Sequence, residues 1–150
     1  MDLMAIRRGL MAQMASGANF VKGTFTVPDD AYGDFVVPFG KSFSKYLFFI
    51  EMTPESKTKL LNESTITSNR YYALIGMYPY PTVSNGTTYP NATMAYRIIP
   101  STGESTSPAN TSAIVTRLDS TSITFLARGI SNAAVVYQGY SYNYYIVEIK

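Results

Sequence analysis

The sequence predicts a mainly β protein, an antiparallel β-sandwich of about seven or eight strands preceded by one short α-helix. Before residue 17 the chain is rich in Leu, Met, Ala and Arg, which favour helices. After residue 17, short runs of β-branched and aromatic residues are separated by Pro, Gly, Asn and Asp, as in strands and turns. The length of 150 residues fits one compact fold. We therefore divide the chain into an amphipathic helix, residues 1–17, and a β-sandwich domain, residues 18–150.

The N-terminal helix is predicted from apolar residues that recur every three or four positions in residues 2–15. A helix of this length is marginal by itself in water, so its apolar stripe needs a partner. That partner is either the rest of the chain or copies of the same helix. Taking the second alternative, we assign the helix a role in oligomerisation or particle anchoring. The residues expected to form that contact are Leu3, Met4, Leu10, Met11 and Met14.

Eight runs of residues have the composition of strands and end at turn-forming residues. These runs are Phe20–Val27, Asp34–Phe39, Tyr46–Met52, Arg70–Tyr78, Thr93–Ile99, Ser112–Leu118, Ser122–Ala127 and Tyr142–Ile149. Asp119-Ser120 predicts a hairpin turn, and the last strand is apolar on both faces. The segments Pro79–Asn91 and Pro100–Asn110 are predicted to be loops, and Thr53-Pro54-Glu55 resembles the start of a short helix.

The composition excludes several kinds of chemistry. The chain has 0 His and 0 Cys, which removes the commonest metal ligands and neutral-pH acid–base groups. Asp29, Asp30 and Asp34 cluster around Gly33, and we interpret this segment as a polar turn in which Gly33 has a positive φ. No nucleophile or phosphate-binding motif occurs. We predict a protein that is not an enzyme and that needs no cofactor or metal.

Charge and hydropathy also limit the partners. The net charge of +2 and the scattered arginines do not predict a nucleic-acid partner. The longest apolar run, Tyr46–Ile50, is far shorter than a membrane span, and no signal peptide is recognisable at the N-terminus.

The abundance of tyrosine indicates a ligand-binding surface. The chain contains 13 Tyr, and this side chain offers an apolar face and a polar tip at low entropic cost. Sugar rings stack on such aromatic faces. The alternative is that these tyrosines line strand edges and packing contacts, because Tyr is favoured in strands. The ligand-binding candidates, chosen because they lie near predicted loops, are Tyr78, Tyr80, Tyr89, Tyr137 and Tyr140.

Several segments together resemble tail-associated structural proteins of phages and prophages, in which a short N-terminal helix precedes a sandwich similar to the H-type lectins. The segments are Met1–Ala12, Gly23–Val27, Val36-Val37-Pro38-Phe39, Leu47–Ile50, Ser120–Phe125 and Tyr142–Ile146. The chain departs from the lectin pattern in having no Trp in the last strand. No sugar-binding residue is carried over from that family.

The resemblance implies a homo-oligomeric, trimeric component of a virion that contacts other virion proteins, with host-surface polysaccharide as an expected ligand. The runner-up hypothesis is an assembly protein of the tail, neck or capsid that makes protein contacts only. A third is a free-standing bacterial carbohydrate-binding domain.

Overall fold

A computed structural model describes residues 3–80, 93–111 and 113–150. These residues form two helices and ten strands. In chain order the elements are α1 (Leu3–Ala15), β1 (Phe20–Thr26), β2 (Gly33–Pro38), β3 (Tyr46–Met52), α2 (Pro54–Leu61), β4 (Arg70–Tyr78), β5 (Thr93–Ile99), β6 (Glu104–Thr111), β7 (Val115–Leu118), β8 (Ser122–Arg128), β9 (Val136–Tyr137) and β10 (Ser141–Glu148). Neither α1 nor α2 has the length and apolar character needed to cross a bilayer.

The strands form two sheets that face each other. The larger sheet has six strands in the order β1-β10-β3-β4-β5-β6, all antiparallel. The smaller sheet has the order β2-β8-β7, and β9 pairs with β8 in parallel. The predicted fold class, a mainly antiparallel sandwich after an N-terminal helix, is confirmed. All eight predicted strands are present to within a few residues.

Alternating side chains of both sheets fill the space between them. Phe25 of β1 illustrates the packing, because its ring stacks on Tyr142 of the same sheet at 5.2 Å and on Phe125 of the opposite sheet at 5.4 Å. Burial of one such ring contributes about 1.5–3 kcal/mol to folding. The last strand is buried on both faces, as predicted, since Ile146 lies in this core and Val147 lies under α1.

Helix α1 lies on the outer face of the six-stranded sheet of its own chain. Ile6 and Leu10 are 9% and 4% exposed and belong to a second apolar cluster with Phe49 and Val147. The Arg7 guanidinium donates a hydrogen bond to the Glu51 carboxylate of β3. The apolar stripe of α1 therefore has a partner within the chain, the first of the two alternatives left open by the sequence.

This packing corrects the predicted oligomerisation surface. Leu10 is buried against the sheet, and Leu3 and Met14 are half-buried beside it, because the outer face of the sheet is itself apolar. Met4 and Met11 do not widen the buried stripe and are 52% and 44% exposed. Only these two of the five predicted contact residues lie on the outward face of α1.

Two strands differ from the sequence-based expectation. Residues predicted as the loop Pro100–Asn110 include β6, which pairs with β5 at the edge of the six-stranded sheet. Its hydroxyl-rich sequence has no apolar alternation that would predict a strand. Pro108 is tolerated because the outward N–H groups of an edge strand have no neighbouring strand to bond. Strand β9 has only two residues and was not predicted. The predicted loop Pro79–Asn91 lies almost entirely outside the described residues.

Two local predictions are confirmed. Helix α2 begins after Thr53, whose hydroxyl accepts a hydrogen bond from Ser56 N–H at 3.2 Å as an N-cap. The hairpin between β7 and β8 turns at Asp119, whose carboxylate accepts hydrogen bonds from the N–H groups of Thr121 and Ser122, both at 2.9 Å.

Candidate functional site

The sandwich has two ends that differ in chemistry. The hairpin end contains the Asp119–Ser122 turn, the start of β3 at Tyr46 and the end of β4 at Tyr78. The opposite end contains the β1–β2 turn and the residues that follow β8 and β9. We call this second region the platform end, and define it by the exposed residues Asp29, Tyr32 and Lys59 and the half-buried residues Arg128 and Gln138.

An exposed aromatic ring with a cation on one face marks the platform end. Tyr32, in the β1–β2 turn, is 75% exposed, the highest value among the exposed large apolar and aromatic side chains of the described residues. The guanidinium carbon of Arg128 lies 3.7 Å from the centre of its ring. Such a cation–π contact holds the ring in place. The predicted positive φ of Gly33, which follows Tyr32, is confirmed at +96°.

Arg128 and Tyr32 are connected through Gln138. The backbone N–H of Gln138 donates to the Arg128 carbonyl at 2.9 Å, and its side-chain amide donates to the Ala31 carbonyl at 2.6 Å. The Arg128 guanidinium also donates to the Ala127 carbonyl at 2.8 Å. The β1–β2 turn and the end of β8 are therefore fixed to each other, and the Tyr32–Arg128 stack has a defined position.

Next to this stack, a lysine and a carboxylate meet at a glycine. Lys59 of α2 donates to the Gly139 carbonyl at 3.0 Å. A Cβ placed on Gly139 would lie 2.9 Å from an Asp29 carboxylate oxygen and 3.1 Å from the Lys59 ammonium nitrogen. Because Gly139 has a φ of +81° and no side chain, both groups approach its backbone closely. The platform end thus presents donors and acceptors beside an exposed aromatic face.

Buried tyrosines support the platform from below. Tyr137 is 0% exposed, and its hydroxyl donates to the Ala133 carbonyl at 2.6 Å and accepts from Tyr71 N–H at 2.9 Å. Burial raises the pKa of Tyr137 above the ordinary value. Burial, together with the neighbouring Glu63 carboxylate, raises the pKa of Tyr140 to about 12. Both rings are neutral parts of the core at physiological pH.

The structure corrects the predicted set of binding tyrosines. Tyr137 and Tyr140 are 0% and 1% exposed, so neither ring is available to a ligand. Tyr78 is half-buried and stacks on Tyr46 at 5.2 Å, and Tyr80 is half-buried against the core at the same end. Tyr89 lies outside the described residues. The predicted residues therefore do not form one site, because proximity to a loop in sequence says little about which face a ring takes.

Tyr32, Arg128 and Gln138 were not predicted from the sequence as candidate binding residues. The sequence feature that could have identified Tyr32 is its position in the polar turn predicted from Asp29, Asp30 and Gly33. A large aromatic ring between turn residues has no alternating strand in which to be buried. Arg128 and Gln138 carried no local signal. Arg128 approaches Tyr32 through the pairing of β2 with β8, and Gln138 joins them through the pairing of β8 with β9.

Two open depressions lie away from the platform, beside the hairpin end. One, of about 440 Å³, is lined by Pro38, Gly40, Lys41, Ser42 and Thr121. The other, of about 420 Å³, lies between the end of α1 and the end of β10. Neither contains an aromatic ring. Within the described ranges, no group of three or more acidic side chains is arranged to hold a metal ion.

Comparison of this chain with protein-family models, curated proteins and solved structures finds no match.

Proposed function

We propose that this chain is a non-enzymatic structural protein of a phage virion, present as a homo-oligomer, whose sandwich binds host-surface glycan at the platform end. The observation that carries the glycan assignment is the Tyr32 ring, 75% exposed and backed by Arg128. The assignment to a virion rests on the sequence resemblance to tail-associated proteins and agrees with the helix-then-sandwich architecture.

The chemistry of the platform suits a carbohydrate. An exposed tyrosine face accepts the C–H face of a pyranose ring, and its apolar area is largely desolvated on contact. Asp29, Lys59 and Gln138 supply the acceptor and donor groups that orient sugar hydroxyls. Because the stack is already fixed by hydrogen bonds to the backbone, little conformational entropy is lost on binding.

An array of bacterial surface polysaccharides, probed with the purified chain, tests this function. We expect binding to at least one polysaccharide and its loss in Tyr32→Ala. The matched control is Tyr72→Ala, because Tyr72 also lies under a cation, with the Lys57 ammonium 4.4 Å from its ring centre, but belongs to β4. Absence of any glycan signal, or equal loss in both variants, would contradict the assignment.

A second candidate function is assembly through protein contacts alone, and the outward face of α1 favours it. Met4 and Met11 are seven residues apart, so they lie on the same side of the helix. Both are about half exposed, and methionine adapts well to protein partners. This surface also supplies a contact for the proposed oligomer.

Native mass measurement distinguishes the two roles of the chain. We expect the wild-type chain to be a trimer and the double substitution Met4→Gln, Met11→Gln to shift it to monomer while leaving the fold intact. Glycan binding that persists in the monomer would separate the two functions. A wild-type chain that is monomeric at all concentrations would refute the oligomer.

A further inference from the structure

We infer that Arg70, which is buried at the start of β4, is a positioning residue for the Tyr32–Arg128 stack. This inference rests on the proposed function of the platform end. Arg70 is 5% exposed at the start of β4. A buried arginine normally has a carboxylate partner. Among the described residues, the ion pairs are Arg7–Glu51 and Arg117–Asp119, and neither includes Arg70.

The Arg70 guanidinium is satisfied by neutral oxygens instead. Its Nε donates to the Ile130 carbonyl at 2.8 Å, and one terminal nitrogen donates to the Ser131 carbonyl at 3.4 Å. The other terminal nitrogen donates to the Ser68 hydroxyl and to the Asn69 carbonyl, both at 2.9 Å. The side chain therefore links the segment before β4 to the segment that follows Arg128.

The segment held by Arg70 leads directly from the platform. Residues 129–135 connect Arg128 at the end of β8 to β9, whose Tyr137 pairs with Arg128. The segment is fixed at its start by Arg70 and near its end by the Tyr137 hydroxyl on the Ala133 carbonyl. A planar guanidinium with five donors can hold two successive carbonyls at once, whereas a lysine ammonium cannot reproduce that fork. Arg70 thus sets the course of the chain immediately after the residue that covers Tyr32.

The matched variants are Arg70→Lys and Arg97→Lys. Arg97 also donates from its Nε to a backbone carbonyl, that of Ser107 at 2.8 Å, but this contact joins β5 to β6 and touches no platform residue. We expect Arg70→Lys to make amide hydrogen exchange at Asn132, whose N–H donates to the Gly129 carbonyl at 3.1 Å, about tenfold faster, the loss equivalent to about one hydrogen bond. Exchange in β3 and β10 should stay as in the wild type.

NMR chemical shifts, through the ring current of Tyr32, report the geometry of the Tyr32–Arg128 stack without a ligand. The Arg128 guanidinium lies over the Tyr32 ring, so we expect the NMR signals of its side-chain protons to be shifted upfield in the wild-type chain. Tyr32→Ala, which lacks the ring, gives the Arg128 chemical shifts expected when the stack is lost. We expect Arg70→Lys to lose most of the upfield shift and Arg97→Lys to keep it. A purely structural role for Arg70 would lower the melting temperature without moving the Arg128 signals.

A milder variant keeps the test valid where Arg70→Lys does not fold. Ser68→Ala removes one acceptor from an exposed position and leaves Arg70 in place, and we expect a smaller change of the Arg128 signals in the same direction. An unchanged Arg128 shift in folded Arg70→Lys, or in Ser68→Ala where the lysine variant is unfolded, overturns the inference. Failure of the proposed function is a different result, namely polysaccharide binding that survives Tyr32→Ala.

Discussion

At the hairpin end of the sandwich tyrosine rings are packed into the core, whereas at the platform end one tyrosine ring projects into solvent above buried ones. Tyr46 is 0% exposed, stacks on Tyr78 at 5.2 Å and meets Phe39 edge-on at 5.2 Å. Its hydroxyl donates to the Asp119 carbonyl at 2.8 Å, so it also holds the hairpin turn. Within the described part of the chain, the Tyr32 ring contacts the Arg128 guanidinium, and Tyr32 remains 75% exposed.

The difference lies in the strands around each ring. Tyr46 begins β3, a central strand of the six-stranded sheet, and its inward side must be filled by a large group. Tyr32 lies in the link between β1 and β2, where the chain passes from one sheet to the other and none of the described strands covers it. One residue type therefore stabilises the fold at the first end and forms the proposed binding surface at the second.

The largest expected effect comes from truncating one tyrosine at each end. Tyr46→Ala should lower the free energy of unfolding by about 3–5 kcal/mol, because it leaves a cavity in the core. Tyr32→Ala should change it by less than about 0.5 kcal/mol, as for surface substitutions in general. Urea denaturation monitored by circular dichroism gives both values. A loss in Tyr32→Ala comparable with that in Tyr46→Ala would remove the distinction between the ends.

The next prediction concerns the stability that the Asp119 turn contributes at the hairpin end. Asp119→Ala should destabilise the chain by about 1–2 kcal/mol at pH 7, because the N–H groups of Thr121 and Ser122 lose their acceptor. Hydrogen bonds, first of all the one from Thr121 N–H, lower the pKa of Asp119 from its ordinary 3.8. The stabilisation is therefore present above pH 3.8 and is lost as the pH falls through the lowered pKa.

Urea denaturation of the wild type and Asp119→Ala at pH 7 and pH 2 tests this expectation, and the gap between the two chains should narrow in acid. Asp119→Asn is the control, since its side-chain carbonyl still accepts a hydrogen bond and does not titrate. A gap of equal size at both pH values would mean that the carboxylate charge does not stabilise the turn.

The sequence predicted the fold well because the signals of its strands are local. Periodic runs such as Tyr46–Met52 and Tyr142–Ile149 define strands by composition alone, and the hairpin at Asp119 follows from turn chemistry. Strand β6 was missed because its Ser, Thr and Pro residues form a strand only by pairing with β5. Such a tertiary contact has no counterpart in the segment's own pattern.

The candidate site was predicted poorly for a related reason. Tyr32 lies about a hundred positions from Arg128 and Gln138 in sequence and meets them through sheet pairing. The same limit applies to α1, where periodicity predicted the stripe around Leu10 but did not distinguish its own sheet from a second copy. Helix propensity is a property of the segment, whereas the partner of its apolar face is a property of the whole fold.

The last prediction concerns the buried Tyr140 beneath the platform, whose effect on stability appears only in alkali. Burial, with the Glu63 carboxylate beside it, raises the pKa of Tyr140 from 10.0 to about 12. The unfolded chain therefore releases this proton first, so between pH 10 and pH 12 the wild type should lose up to about 1.4 kcal/mol of stability per pH unit through this residue. Tyr140→Phe should have a correspondingly shallower decline, measured by urea denaturation at pH 8, 10 and 11. The decline of stability with pH in Glu63→Gln should lie between those of the wild type and Tyr140→Phe. This is because burial raises the pKa of Tyr140 more than the charge of Glu63 does. Parallel declines in the wild type and Tyr140→Phe would show that this ring titrates as freely in the folded chain as in the unfolded one.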